Sequence, residues 1–153
     1  MFRGSHNLNL DAKGRIAIPA RYRERLREMC EGELVVTFNP YDECLPIYPL
    51  SEWEECERKM EAVEDESEDF REMQRMLYYY THDVEMDGSG RILVPQQLRE
   101  LVSLEKSAVL IGHGKKFELW GEQRWLQHSQ SGREKFAERM RTRSERMHLG
   151  FKL

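Results

Sequence analysis

His6-Asn7-Leu8-Asn9-Leu10-Asp11-Ala12-Lys13-Gly14-Arg15-Ile16-Ala17-Ile18-Pro19 returns 76 residues later as His82-Asp83-Val84-Glu85-Met86-Asp87-Gly88-Ser89-Gly90-Arg91-Ile92-Leu93-Val94-Pro95. The two runs share His, Asp, Gly, Arg, Ile and Pro at matching positions, and elsewhere exchange one aliphatic residue for another. Chance supplies one or two such matches, not a run in register, so the chain carries an internal repeat. The likeness continues with small gaps. Leu34-Val35-Val36-Thr37-Phe38 resembles Ala108-Val109-Leu110-Ile111-Gly112, and Ile47-Tyr48-Pro49-Leu50-Ser51-Glu52-Trp53 resembles Leu119-Trp120-Gly121-Glu122-Gln123-Arg124-Trp125.

Local chemistry assigns an element to each part. Leu8 and Leu10 alternate with Asn7 and Asn9, the period of two that sorts side chains onto the faces of a strand. Asp11 to Gly14 is a turn, with glycine taking a backbone conformation that a β-carbon penalises. In the returning strand Ile16 and Ile18 face the core, so Arg15 and Ala17 face away. Pro19 ends that strand and suits the first turn of a helix, where its missing N–H costs no hydrogen bond. A helix is expected over Ala20 to Met29, with Tyr22, Leu26 and Met29 on its apolar face. Its other face holds Arg21, Arg23, Arg25 and Arg27, candidates for solvent or for nucleic acid. In the second repeat Pro95 leads into a helix over Gln96 to Val102, with Leu98, Leu101 and Val102 as its stripe. Each repeat therefore reads ββαββα.

Between the repeats, Ser51 to Leu77 has a helical pattern with Trp53, Cys56, Met60, Val63, Phe70, Met73 and Leu77 as the stripe. Ser51 followed by Glu54 resembles a capping box, and the acidic cluster 64–69 interrupts the helix because adjacent like charges weaken it. The tail from Gln127 to Leu153 departs from the repeat and suggests an amphipathic helix carrying Arg139, Arg141, Arg143 and Arg146. The expected organisation is a first repeat at 1–53, a helical connector at 54–77, a second repeat at 78–126 and a charged helical tail at 127–153.

Apolar residues make up 39% of the chain and aromatics 10%, enough for a packed core. The formal net charge of −4 argues against a uniformly basic nucleic-acid coat, yet the charge is unevenly spread. The first 27 residues hold Arg3, Lys13, Arg15, Arg21, Arg23, Arg25 and Arg27 against Asp11 and Glu24, while Glu52 to Glu72 is dominated by carboxylates. Three cysteines with no Cys-x-x-Cys spacing indicate neither a disulfide framework nor a four-ligand zinc site. No signal peptide and no apolar run of membrane-spanning length is apparent, so a cytoplasmic protein is expected.

The functional signal is the turn Asp-x-x-Gly-Arg, present as Asp11-Ala12-Lys13-Gly14-Arg15 and as Asp87-Gly88-Ser89-Gly90-Arg91. A short aspartate can bond backbone N–H groups two residues on, or hold the arginine through its carboxylate. Either way a guanidinium is presented at a hairpin edge, and it suits both phosphate and the paired acceptors of guanine in a major groove wide enough for a two-stranded ribbon. A single copy is most simply a solvated turn; two copies in register, each followed by aliphatic-x-aliphatic-Pro, favour a function. His6 and His82 share a core-facing parity and read as packed histidines rather than metal ligands. No nucleophile–base pair, metal motif or phosphate loop stands out, so neither an enzyme nor a cofactor is expected.

With the Phe2-Arg3-Gly4 start, the Lys13-Gly14-Arg15-Ile16 core and the Tyr78-Tyr79-Tyr80 run before the second repeat, the tandem hairpins resemble the MraZ family up to about Leu126. The module resembles the AbrB-like swapped-hairpin fold. The resemblance implies an α+β, β-rich fold in which two tandem repeats form one pseudo-twofold swapped-hairpin β-barrel flanked by helices. It also implies a transcriptional regulator on the nucleoid, acting at the promoter of the division and cell-wall gene cluster, binding repeated elements of double-stranded DNA as a ring-shaped homo-oligomer. Asp11, Arg15, Asp87 and Arg91 occupy the family's motif positions; Gly14 and Gly90 shape the turns, Lys13 adds charge, and Arg3 shares the outward parity of Ser5 and Asn7. The second turn has Ser89 where the first has Lys13, so Arg15→Ala is expected to weaken DNA binding more than Arg91→Ala. The competing reading is a ring-forming scaffold whose hairpins bind protein, and salt dependence separates the two.

Overall fold

The computed structural model describes residues 1–142. The first repeat comprises β1 (Phe2–Asn9), β2 (Arg15–Ala17), α1 (Ala20–Cys30), β3 (Glu33–Val36), β4 (Cys44–Pro49) and α2 (Leu50–Glu61). After α3 (Glu68–Tyr80) the same order returns as β5 (His82–Glu85), β6 (Arg91–Leu93), α4 (Gln96–Leu101), β7 (Ser107–Gly114), β8 (Lys116–Gly121) and α5 (Glu122–Thr142). The chain divides into two units, Met1–Glu122 and the segment from Gln123 onward. The second is helical as far as Thr142, and there Trp125 meets the His128 ring at 6.0 Å. The expected roles of Arg143 and Arg146 lie outside the described residues.

Strand pairing crosses between the repeats. Six strands form an antiparallel sheet in the order β1-β7-β8-β4-β3-β5. β1 pairs with β7 of the second repeat, from Phe2↔Gly114 to Asn9↔Ser107, and β5 pairs with β3 of the first, from Glu33↔Glu85 to Val36↔His82. The two hairpins meet at the centre through β4 and β8. Exchanging each strand for its repeat partner reverses the order and leaves every pairing intact, the mark of a pseudo-twofold axis.

β2 and β6 pair only with each other, with Ile16 opposite Ile92 on that axis. Among the described residues the strands thus make two hydrogen-bonded sheets, with β1 and β5 as edges of the larger, rather than the expected barrel closed by its ladders. Three-residue strands, each followed two residues later by a proline without an N–H, have few donors with which to extend the ladder.

The core follows the strand alternation. Ile16, Ile18, Ile92 and Val94 are buried together with Tyr22, Leu26, Leu98, Leu110, Phe117 and Leu119. Burying each of the larger apolar side chains contributes about 1.5–3 kcal/mol. Arg15 and Arg91 are half-buried, while Ala17 and Leu93 are exposed, which is the outward face expected from the period of two.

Several expectations are corrected. Met29 is 43% exposed, and Cys30 turns inward instead, one helical repeat of four from Leu26. Leu101 is 40% exposed where α4 ends, while Val102 is buried as expected and Leu104 joins the core after Ser103, which adopts a positive φ. Pro19, Pro49 and Pro95 stand at the N-caps of α1, α2 and α4, just before the first turn, each with φ near −55° and extended ψ.

Because α2 begins at Leu50, Ser51 already lies inside its first turn and forms no capping box. The side-chain cap is at Ser67, whose Oγ accepts from the Phe70 N–H at 3.1 Å to open α3. The acidic interruption runs over residues 62–67, while Glu68 and Asp69 fall in the first turn of α3, where negative charge suits the helix dipole. The helix continues to Tyr80, three residues past the expected end.

Candidate nucleic-acid interface

The two Asp-x-x-Gly-Arg turns repeat almost bond for bond. Asp11 Oδ1 accepts from the backbone N–H groups of Lys13 at 3.0 Å and Arg15 at 2.9 Å, and Asp11 Oδ2 accepts from Arg15 Nε at 2.7 Å. Asp87 Oδ1 accepts from Ser89 and Arg91 N–H, both at 2.9 Å, and Oδ2 from Arg91 Nε at 3.0 Å. Backbone bonds close each loop: Gly14 N–H to Asp11 O at 3.0 Å, and Gly90 N–H to Asp87 O at 2.9 Å.

The aspartate therefore does both things the motif allows, rigidifying the loop and aiming the arginine. Among the described residues the ion pair engages Nε alone, which leaves the Nη groups of Arg15 and Arg91 for an outside acceptor. The N–H donated by Arg15 is the chief cause that draws the Asp11 carboxyl down to about 2; the Arg91 N–H lowers Asp87 in the same way. Both carboxylates are ionised at neutral pH and hold their arginines through charge-assisted bonds.

The ribbon joins the two turns. With Arg15 opposite Leu93 and Ala17 opposite Arg91, its outward face carries two arginines related by the pseudo-twofold axis, with Ala17 and Leu93 completing the square. Diagonal neighbours on such a face lie about 7–8 Å apart. Lys13 is exposed in the first turn. Gly14 and Gly90 hold φ of +85° and +79°, conformations a side chain resists.

Arg3 is not brought to the ribbon. It stands six residues before Asn9 on the extended β1, about 20 Å from the turn end of that strand. Its carbonyl instead accepts from Tyr22 Oη at 2.6 Å. The arginines of α1 divide. Arg21 and Arg25 reach the Arg3 and Met1 carbonyls and lie over the Tyr22 and Phe2 rings. Arg23 and Arg27 turn to the ribbon side: Arg23 Nε donates to Ile18 O at 2.7 Å, and Arg27 Nη2 reaches Asp87 O at 3.4 Å.

Arg99 repeats Arg23, its Nε donating to Val94 O at 3.0 Å. The sequence pattern does not single out Arg99, although it stands at the repeat spacing from Arg23, just beyond the matched hairpins. His6 and His82 are half-buried and bond Tyr22 Oη and Gln97 Oε1, in keeping with packed histidines. Among the described residues no cluster of three metal-ligating side chains occurs, and no helix is long and apolar enough to cross a membrane.

A duplicated hairpin module that exchanges strands between its halves and presents two aspartate-braced arginines on one ribbon defines the structural class. The family model described as "MraZ protein, putative antitoxin-like" matches residues 1–76 and again 77–147, one match for each repeat. A relative from Halorhodospira halophila, named transcriptional regulator MraZ, is 52% identical over 127 residues, covering 83% of this chain and 84% of its own. Relatives of the same name from Pseudomonas putida and Shewanella oneidensis are each 50% identical, covering 82% and 83% of this chain and 83% and 84% of their own. The chain belongs to the MraZ family.

Proposed function

We propose that this protein is a sequence-specific transcriptional regulator that reads double-stranded DNA with the β2–β6 ribbon. The observation that carries the reading is the pair of Asp–Arg braces on one outward face about a pseudo-twofold axis, each engaging Nε and, among the described residues, leaving its Nη groups free. Arg15 and Arg91 are the chief contacts to bases. A two-stranded ribbon fits the major groove, where a guanidinium spans guanine O6 and N7, and Ala17 and Leu93 supply apolar surface for thymine methyl groups. Lys13 adds phosphate attraction, Asp11 and Asp87 aim the arginines, and Gly14 and Gly90 let the backbone turn. Arg3 lies too far along β1 to share the same base step and serves at most the flanking phosphate backbone.

Family membership supports the wider reading: a cytoplasmic protein working on the nucleoid, at the promoter of the division and cell-wall gene cluster that includes its own gene. The two sheets together act as the AbrB-like swapped-hairpin module. Modules assembled in a homo-oligomeric ring would meet regularly spaced DNA repeats many at a time, turning weak single contacts into strong binding. The acidic surface of α2 and α3 repels DNA and leaves the ribbon as the attractive face.

The test is binding to the promoter DNA upstream of this gene and to a scrambled duplex across a salt series. Preference for the promoter, with affinity falling steeply as salt rises, is expected because each neutralised phosphate releases counterion. Equal binding to both duplexes, or affinity indifferent to salt, would remove the reading.

A further inference from the structure

Arg23 and Arg99 lie outside the Asp-x-x-Gly-Arg motif, yet the structure places each against the turn of the opposite repeat. Both are half-buried, and each is anchored by its Nε to the carbonyl that follows its own ribbon strand, Ile18 or Val94. A β-carbon at Gly14 would stand 2.5 Å from Arg99 Cζ and 2.7 Å from its Nε; one at Gly90 would stand 2.5 Å from Arg23 Cδ and 2.8 Å from its Cζ. The glycines are required for their positive φ, and the absence of a β-carbon leaves the space that each guanidinium occupies. Their carbonyls complete the clamp across the repeats: Val94 N–H donates to Gly14 O at 3.0 Å, and Ile18 N–H donates to Gly90 O at 2.8 Å.

The geometry points to a crossed division of labour, in which Arg99 is the positioning residue for Arg15 and Arg23 is the positioning residue for Arg91. This inference rests on the ribbon being the DNA-reading face. Each turn is held from within its own repeat by the aspartate brace and by the backbone bonds that close the loop. A flat guanidinium fixed at Nε and laid on the glycine closes one side of the turn, while the Asp–Arg brace closes the other, so the reading arginine is preorganised before DNA arrives. Lysine keeps the charge but has neither the planar face nor the anchored Nε. Charge and positioning can therefore be separated by a conservative change.

The experiment combines hydrogen-exchange mass spectrometry on the full-length, assembled protein with promoter-DNA affinities. Arg99→Lys is expected to speed exchange across residues 11–15 about tenfold and to leave 87–91 unchanged; Arg23→Lys should do the reverse. In binding, Arg99→Lys should cost about tenfold in the wild type and in Arg91→Ala, but less than about twofold once Arg15→Ala has removed the residue it positions. Should a lysine variant fail to assemble, Arg99→Met and Arg23→Met keep the stem without the head and are read in the same way.

Wild-type exchange in the lysine variants, or loosening confined to the variant's own repeat, would overturn the inference, as would equal losses in both alanine backgrounds. If Arg15→Ala and Arg91→Ala both bind DNA like the wild type, the ribbon reading itself falls, whereas the exchange pattern judges the crossed clamp without reference to DNA.

Discussion

The turn Asp11–Arg15 and the turn Asp87–Arg91 share every backbone bond and the same aspartate brace, but they gather positive charge from different places. The first has Lys13 in the loop itself and Arg99 laid over Gly14 from the second repeat. The second has Ser89 in place of the lysine, and α1 supplies both Arg23 over Gly90 and Arg27 at the Asp87 carbonyl. Turn geometry is set by three residues, Asp, Gly and Arg, so the two middle positions are free to vary. The charge around each turn is partly a property of the other repeat, which a motif read along the chain does not reveal.

The largest test of this equivalence lies in the core beneath the ribbon. Ile16 and Ile92 face each other on the pseudo-twofold axis and are 0% and 1% exposed. Ile16→Ala and Ile92→Ala should each lose about 2–5 kcal/mol in urea unfolding, with matched values. A loss confined to one of them would break the symmetry that the topology describes.

A smaller effect sharpens the difference between the turns. Lys13→Ser makes the first turn resemble the second and should reduce the slope of log affinity against log salt by about one, whereas Ser89→Lys should raise it by about one. Identical slopes for wild type and Lys13→Ser would show that this lysine touches no phosphate.

The smallest effect at neutral pH is the titration of the braces. Folding draws the Asp11 carboxyl from its ordinary 3.8 down to about 2 and moves Asp87 in the same direction. Their contribution is therefore complete above about pH 4 and fades as pH falls towards 2. Carbon-13 titration of the aspartate carboxyls should find Asp11 near 2 and Asp87 below 3.8; ordinary values for both would mean that the braces are open in solution.

The repeat, the hairpin turns and the outward parity of Arg15 and Arg91 were legible in the sequence because they depend on neighbours at most a few residues away. Strand partners were not: β1 pairs with β7 about a hundred residues on, and nothing local to Phe2–Asn9 names Ser107–Gly114 as its partner. Helix starts are ambiguous in the sequence where two signals compete. Ser51 resembles a cap, but Pro49 lets α2 begin a residue earlier, and Ser67 opens α3 from within an acidic run whose charges suggest only a break. Arg23 and Arg99 escaped for a different reason: a charged helix position is ordinarily solvated, and only the exchange of hairpins between the repeats brings a glycine beneath it.

Whether Arg15 and Arg91 read DNA from the ribbon is decided by gel-shift titrations of Arg15→Ala, Arg91→Ala and the wild type on promoter DNA, with folding and oligomeric size checked. Both variants should bind more weakly, by about 5- to 150-fold if each arginine holds a base pair of acceptors, and Arg15→Ala should lose more. Folded, assembled variants that bind promoter DNA as tightly as the wild type would contradict the ribbon reading.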